Sequence, residues 1–147
     1  MAAENISDDD LVSRLLFEPS MRKEEKDLVW DNIFQFPSDQ GQCESVLWRA
    51  KAPTIDEVHS SGCAKQASDR AKGKDRSTYF GSITGKVSDI RSLKSATGAC
   101  LTVEHAPDEG KSHAHIGFSP GTKKNDRSEL KVMLRSAFGA LEPHTCP

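Results

Sequence analysis

Two runs in the last third of the chain, Ala99-Cys100-Leu101-Thr102-Val103-Glu104-His105 and Ser112-His113-Ala114-His115-Ile116-Gly117-Phe118, alternate apolar and polar side chains. In a strand, residues two apart share a face. Joined by the turn-rich stretch from Ala106 to Lys111, the runs predict an antiparallel hairpin with one dry and one wet face. A slip of one residue would send every side chain to the wrong side, so patterning selects the register. Pairing Val103 with Ala114 sets Leu101 against Ile116 and Ala99 against Phe118 on the dry face. It sets Glu104 against His113 and Thr102 against His115 on the wet face, and directs His105 toward the buried end.

At 147 residues the chain is long enough for one domain whose core needs no disulfide. Cys43, Cys63, Cys100 and Cys146 form no C-x-x-C pair, which argues against a zinc knuckle and predicts four reduced thiols. The first ten residues are acidic where a secretory leader is cationic, and no apolar run approaches the roughly 20 residues that span a bilayer. These features predict a cytoplasmic protein with no membrane contact.

The order of elements follows from period and punctuation. The first eight residues lack periodicity and are expected to fray. Asp8-Asp9-Asp10 suits a helix N-terminus, and Leu11, Val12, Leu15, Leu16 and Phe17 fall at helical spacing before Pro19. Glu24 to Phe36 is read as a helix or an extended arm, and Ser45 to Ala50 as a strand. Thr54-Ile55-Asp56-Glu57 matches a capping box opening a helix to about Lys72, with Gly62 inside it for close packing against a strand. Tyr79 to Val87 is a strand whose Gly81 and Gly85 leave room for a neighbour. A short helix carrying Ile90 and Leu93, the hairpin and a final helix with Leu130, Met133, Leu134, Ala137 and Phe138 complete the chain. The fold class is α+β, a largely antiparallel sheet with helices packed on one face, preceded by an acidic helical or extended N-terminal region. The expected division is an arm over 1–42, a core over 43–141 and a tail over 142–147.

The net charge of −2 hides a division along the chain: residues 1–45 hold eleven acidic and four basic side chains, whereas residues 46–100 hold ten basic and five acidic. That asymmetry points to intramolecular docking or to a basic partner for the acidic arm. Trp30, Phe34 and Phe36 in the arm either cap the core or form a contact surface for a protein partner or second copy. Lys65, Arg70, Lys72, Lys74 and Arg76 form a basic stretch that could touch nucleic-acid phosphates, with few stacking residues nearby.

Glu104, His113 and His115 are the candidate metal-binding and catalytic set, because two imidazoles and a carboxylate can ligate a divalent ion or move protons. The same residues can equally be polar side chains on a wet face, and no cofactor is required. His113-Ala114-His115 resembles the active-site strand of HUH endonucleases, in which two histidines flank a hydrophobic residue and a third polar ligand completes a metal site. That resemblance implies metal-dependent phosphodiester chemistry, and those enzymes also carry a tyrosine nucleophile, usually on a helix. The final helix here has no tyrosine, and Tyr79 lies in a predicted strand.

A wider succession, Leu15-Leu16-Phe17, Ser45-Val46-Leu47-Trp48-Arg49, Asp56-Glu57-Val58-His59 with Gly62, then His113 to Gly117 and a closing Leu-rich helix, resembles uncharacterised small bacterial proteins. Those proteins occur in mobile or defence-associated gene neighbourhoods, and the resemblance implies an accessory subunit of a bacterial or phage-related multigene system. The sequence therefore favours a non-enzymatic interaction protein. A metal-dependent phosphodiester-processing enzyme and a nucleic-acid-binding module are the alternatives.

Overall fold

A computed structural model describes residues 2–23, 27–37, 42–49, 54–73 and 77–147. Strands β1 (Leu11–Glu18), β4 (Glu44–Trp48), β5 (Thr78–Lys86), β6 (Leu101–His105), β7 (His113–Phe118) and β8 (Glu142–Pro143) form one sheet in the order β6-β7-β4-β1-β5-β8. Every neighbouring pair in it is antiparallel. Two short strands, β2 (Arg22–Lys23) and β3 (Asp27–Leu28), pair separately. The helices are α1 (Trp30–Ile33), α2 (Ile55–Ala71), α3 (Val87–Arg91) and α4 (Lys124–Leu134), the last followed by a 3-10 turn over Arg135–Ala137. The chain is α+β, as its patterning predicts.

The helix expected over Leu11 to Phe17 is a strand, and it is an interior one. Pairing β1 with β4 and β5 places Val12 and Leu16 on one face of the sheet and Ser13, Leu15 and Phe17 on the other. The expected boundary at residue 42 therefore runs through the sheet, because β1 lies between two strands of the expected core. The first residues are also tied down. Ile6 is buried, and Arg91 donates to the Ile6 carbonyl (2.8 Å), to Asp8 (2.7 Å) and to the Val103 carbonyl (2.9 Å).

The helices do not all lie on one face. Ile33, Val87, Ile90, Leu130 and Leu134 from α1, α3 and α4 join Val12, Leu16, Ile83, Val103 and Ile116 in one core, which defines the covered face. Helix α2 packs on the opposite face. There Gly62 sits beneath the ring of Tyr79, close enough that a Cβ would overlap it, and Tyr79 in turn meets Phe17 at 5.6 Å between ring centroids. The α2 boundary follows the capping box, since Thr54 Oγ1 accepts from the Glu57 amide at 3.3 Å. Among the described residues, the rest of this second face, from β4 to β6, carries no helix; we call it the open face.

The room beside Gly81 and Gly85 is filled by the chain's own C-terminal segment. Leu141 and the Glu142 backbone pack over Gly81, and Phe138 and the Ala137 carbonyl pack over Gly85. The expected tail thus opens with strand β8 on the edge of the sheet and is fixed further by a Cys63–Cys146 disulfide. Two of the four cysteines are therefore bonded rather than reduced, because β8 returns the C-terminus to α2 across 83 residues of sequence. Cys43 and Cys100 are not disulfide-bonded.

Candidate functional site

The hairpin forms with its predicted faces and a register two residues away from the predicted one. Val103 pairs with Ile116, Leu101 with Phe118, Glu104 with His115 and His105 with Ala114. A shift of two preserves the face of every side chain. Leu101, Val103, Ala114 and Ile116 are accordingly buried, His105 is buried with them, and Glu104, His113 and His115 share the open face.

The connection from Ala106 to Ser112 fixes that register. Its amides close successive turns from Glu109 to Ala106, Gly110 to Pro107 and His113 to Gly110, and Ala106 donates to the His113 carbonyl at 2.9 Å. Gly110 adopts φ +151° with the His113 ring where a Cβ would lie, so any other residue would collide there. The loop returns Glu109 to the open face, where its carboxylate pairs with His115 Nε2. Glu109 thus supplies the carboxylate that holds an imidazole, and Glu104 remains exposed beside His115 rather than opposite His113 as the predicted register has it.

His113 stands opposite Leu47 of β4, and His115 opposite Ser45. The His113 Nδ1 atom is buried without a hydrogen-bond partner among the described residues. His113 borders a cavity of about 260 Å³ lined also by Leu15, Phe17, Leu47, Lys65 and Glu109, between α2 and the hairpin loop. Nearby, burial pushes the Cys43 thiol up, and Glu109 and Glu44 add to the effect, which keeps that sulfur protonated and a poor nucleophile.

The donor atoms of Glu104, His113 and His115 do not converge as those of a metal site must. Among the described residues the group that meets within 4.8 Å is Cys63, His144 and Cys146. Nor is a tyrosine brought to the histidines. Tyr79 is on β5, separated from β7 by β1 and β4, which at about 4.8 Å per strand step is roughly 14 Å. Tyr79 is fully buried, shares a 2.7 Å hydrogen bond with His59 Nδ1, and burial raises its pKa to about 12.

The aromatic residues of the arm cap the chain's own core. Phe34 is 1% exposed against Phe138 (5.1 Å between centroids), Phe36 packs on Phe118 (4.5 Å), and Trp30 stacks on Phe34 (5.9 Å) while half-buried. Among the basic residues, Lys65 pairs with Asp69 at 3.0 Å and Arg70 donates to Thr78 Oγ1 at 3.2 Å. Lys72 caps the C-terminus of α2, and Lys74 and Arg76 lie outside the described residues.

A cluster that sequence reasoning passed over lies where α2 meets the C-terminal segment. His59 and Cys63, one turn apart on α2, face His144 and Cys146. The imidazoles of His59 and His144 stack at 4.4 Å and 12°. Burial, with His144 as a second cause, holds the His59 pKa below the usual histidine range. The spacings His59-x-x-x-Cys63 and His144-x-Cys146 were the available signal, since each places two donors within reach of one point, but 80 residues separate the pairs.

No helix among the described residues is long and apolar enough to cross a membrane. No family model, curated protein or solved structure matches the chain.

Proposed function

We propose that the protein is a non-enzymatic interaction subunit that takes up an extended segment of a protein partner along the outer edge of β6. The observation that carries this reading is that β6 ends the sheet and borders a cleft of about 680 Å³. The Ser119 amide donates to the Cys100 carbonyl and the Ala106 amide to the His113 carbonyl, so Cys100, Thr102, Glu104 and Ala106 exchange bonds with β7. Leu101, Val103 and His105 consequently turn their amides and carbonyls away from β7; Arg91 holds the Val103 carbonyl and a bridge from Lys94 to Cys100 covers the Leu101 end, so an added strand would bond chiefly along Val103 to His105.

The lining of the cleft defines the partner's chemistry. Ile6, Leu101 and Val103 are themselves buried, so the cleft presents the backbone edge of β6 and the negative charge of Glu4 and Glu104, with Arg91 already tied to Asp8. A strand with basic side chains at alternate positions suits that charge, because opposite charges facing each other across strands are favourable. A few added backbone bonds, at a net of about 0.5–1.5 kcal/mol each, make such binding weak and reversible.

An alternating Lys/Val peptide tests this by amide chemical-shift perturbation. Shifts centred on Val103 to His105 are expected, and N-methylation of alternate peptide residues should abolish binding in one phase only. A block isomer of the same composition controls for charge. Equal binding of both isomers, or shifts centred on the cavity beside His113, would reject strand addition at β6.

A further inference from the structure

We propose that Cys63, Cys146 and His144 form a redox-gated Zn²⁺ site that clasps the C-terminal segment onto α2. Three features converge on it. The sulfur atoms of the two cysteines and a ring nitrogen of His144 already lie within 4.8 Å of one another, and donors about 2.3 Å from a tetrahedral ion sit about 3.8 Å apart. The cysteine Cα atoms are 5.6 Å apart on two anchored elements: α2 on one side, and on the other the segment whose His144 amide donates to the Phe80 carbonyl at 3.0 Å. The His144 ring is held in place by its stack on His59, which is itself fixed by the Tyr79 hydroxyl.

Two thiolates and an imidazole suit zinc and other soft or borderline ions and disfavour magnesium and calcium. Zn²⁺ with two thiolates and a neutral imidazole carries no net charge. The site borders a cavity of about 350 Å³ whose walls include Gln66, Arg70 and the Glu18–Arg22 ion pair. The ion's fourth position is left for a water or small ligand in this cavity. Three protein ligands and one open position is the pattern of zinc sites that bind or activate ligands.

The gate is the disulfide itself. A dithiol reductant transfers two electrons and two protons to the Cys63–Cys146 bond, releasing two thiols and leaving as its own disulfide. Zn²⁺ then displaces the two thiol protons. Oxidised sulfurs hold each other, and reduced sulfurs hold the ion. With neither bond, the C-terminal segment relies on the two-residue pairing of β8, the His144 amide bond, the Thr84–Glu142 hydrogen bond and the His144–His59 stack.

Cobalt(II) reports the site directly on the full chain, reduced with a dithiol and freed of it without air. One equivalent should give thiolate-to-metal charge-transfer absorption, be displaced by one equivalent of Zn²⁺, and leave oxidised protein unchanged. The band should vanish in Cys63→Ser and Cys146→Ser and persist in the Cys43→Ser/Cys100→Ser double variant. His144→Ala should bind weaker by about tenfold or more, since even outer-shell losses cost that much. Circular dichroism checks that each variant is folded. A reduced protein that takes up no more cobalt than Cys63→Ser, or a band lost on removing Cys43 and Cys100 instead, overturns the proposal.

Discussion

Arg14 of β1 and Glu44 of β4 form an ion pair at 2.9 Å inside the covered face of the sheet, with the Glu44 side chain 5% exposed. Neither charge is left unsatisfied. Arg14 also donates to the carbonyls of Ile33 and Ser45 (both 3.2 Å), and one Glu44 oxygen accepts from the amides of Gln35 (2.9 Å) and Phe36 (2.6 Å). The pair thus ties the segment bearing Phe34 and Phe36 to the centre of the sheet. Burial lowers the Arg14 pKa, and Glu44 offsets part of that shift.

Removing one partner of a buried pair strands the other, at a cost of about 3–5 kcal/mol. Glu44→Ala should therefore destabilise the fold by that order in urea denaturation, and Glu44→Gln by less, because an amide oxygen can still accept from Gln35 and Phe36. A loss under 1 kcal/mol in Glu44→Ala would show that the pair does not organise this segment.

Gly62→Ala sets two effects of opposite sign against each other. Alanine gains about 1 kcal/mol of helix propensity over glycine, whereas overpacking a filled site costs about 1–3 kcal/mol. The Tyr79 ring occupies the space and is pinned by Phe17 and His59, so steric cost should win. The variant should melt below the parent. A higher melting temperature would mean that the ring yields.

The same buried pair explains what the sequence concealed. A strand buried on one face normally alternates, but Arg14 interrupts the apolar positions Val12 and Leu16, and Leu15 and Phe17 are apolar on the other face. The run then matches a helix as well as a strand, because its partner Glu44 is 30 residues away. The hairpin was legible in its faces and not in its register: Val103 finds an apolar neighbour in either Ala114 or Ile116, and loop geometry at Gly110 decides between them. Helix α2 was legible because its cap and its glycine are local signals. The disulfide and the His59–His144 stack were not, since their geometry exists only after β8 has paired with β5.

Truncation separates an appended arm from an integral one. Deleting residues 1–40 removes β1 from between β4 and β5 and takes Phe34 and Phe36 from the core. The truncated chain should lose cooperative unfolding and near-ultraviolet dichroism. A remaining fragment with a sharp melting transition would show that β4 and β5 can close the gap.

Tyr79, the chain's single tyrosine, gives stability a predictable dependence at alkaline pH. Its folded pKa of about 12 lies above the unfolded value near 10, so the folded state holds the phenol proton more tightly. That contribution is fully present below pH of about 10 and is lost as pH rises from about 10 to 12, a change on the order of 2–3 kcal/mol. Phenolate absorbance should therefore appear together with unfolding rather than before it. Tyr79→Phe gives up the hydrogen bond to His59, at about 1 kcal/mol, and should show a shallower fall in stability over the same pH range. Phenolate formation near pH of about 10 in a protein whose circular dichroism is still native would show that solvent reaches the ring beneath α2.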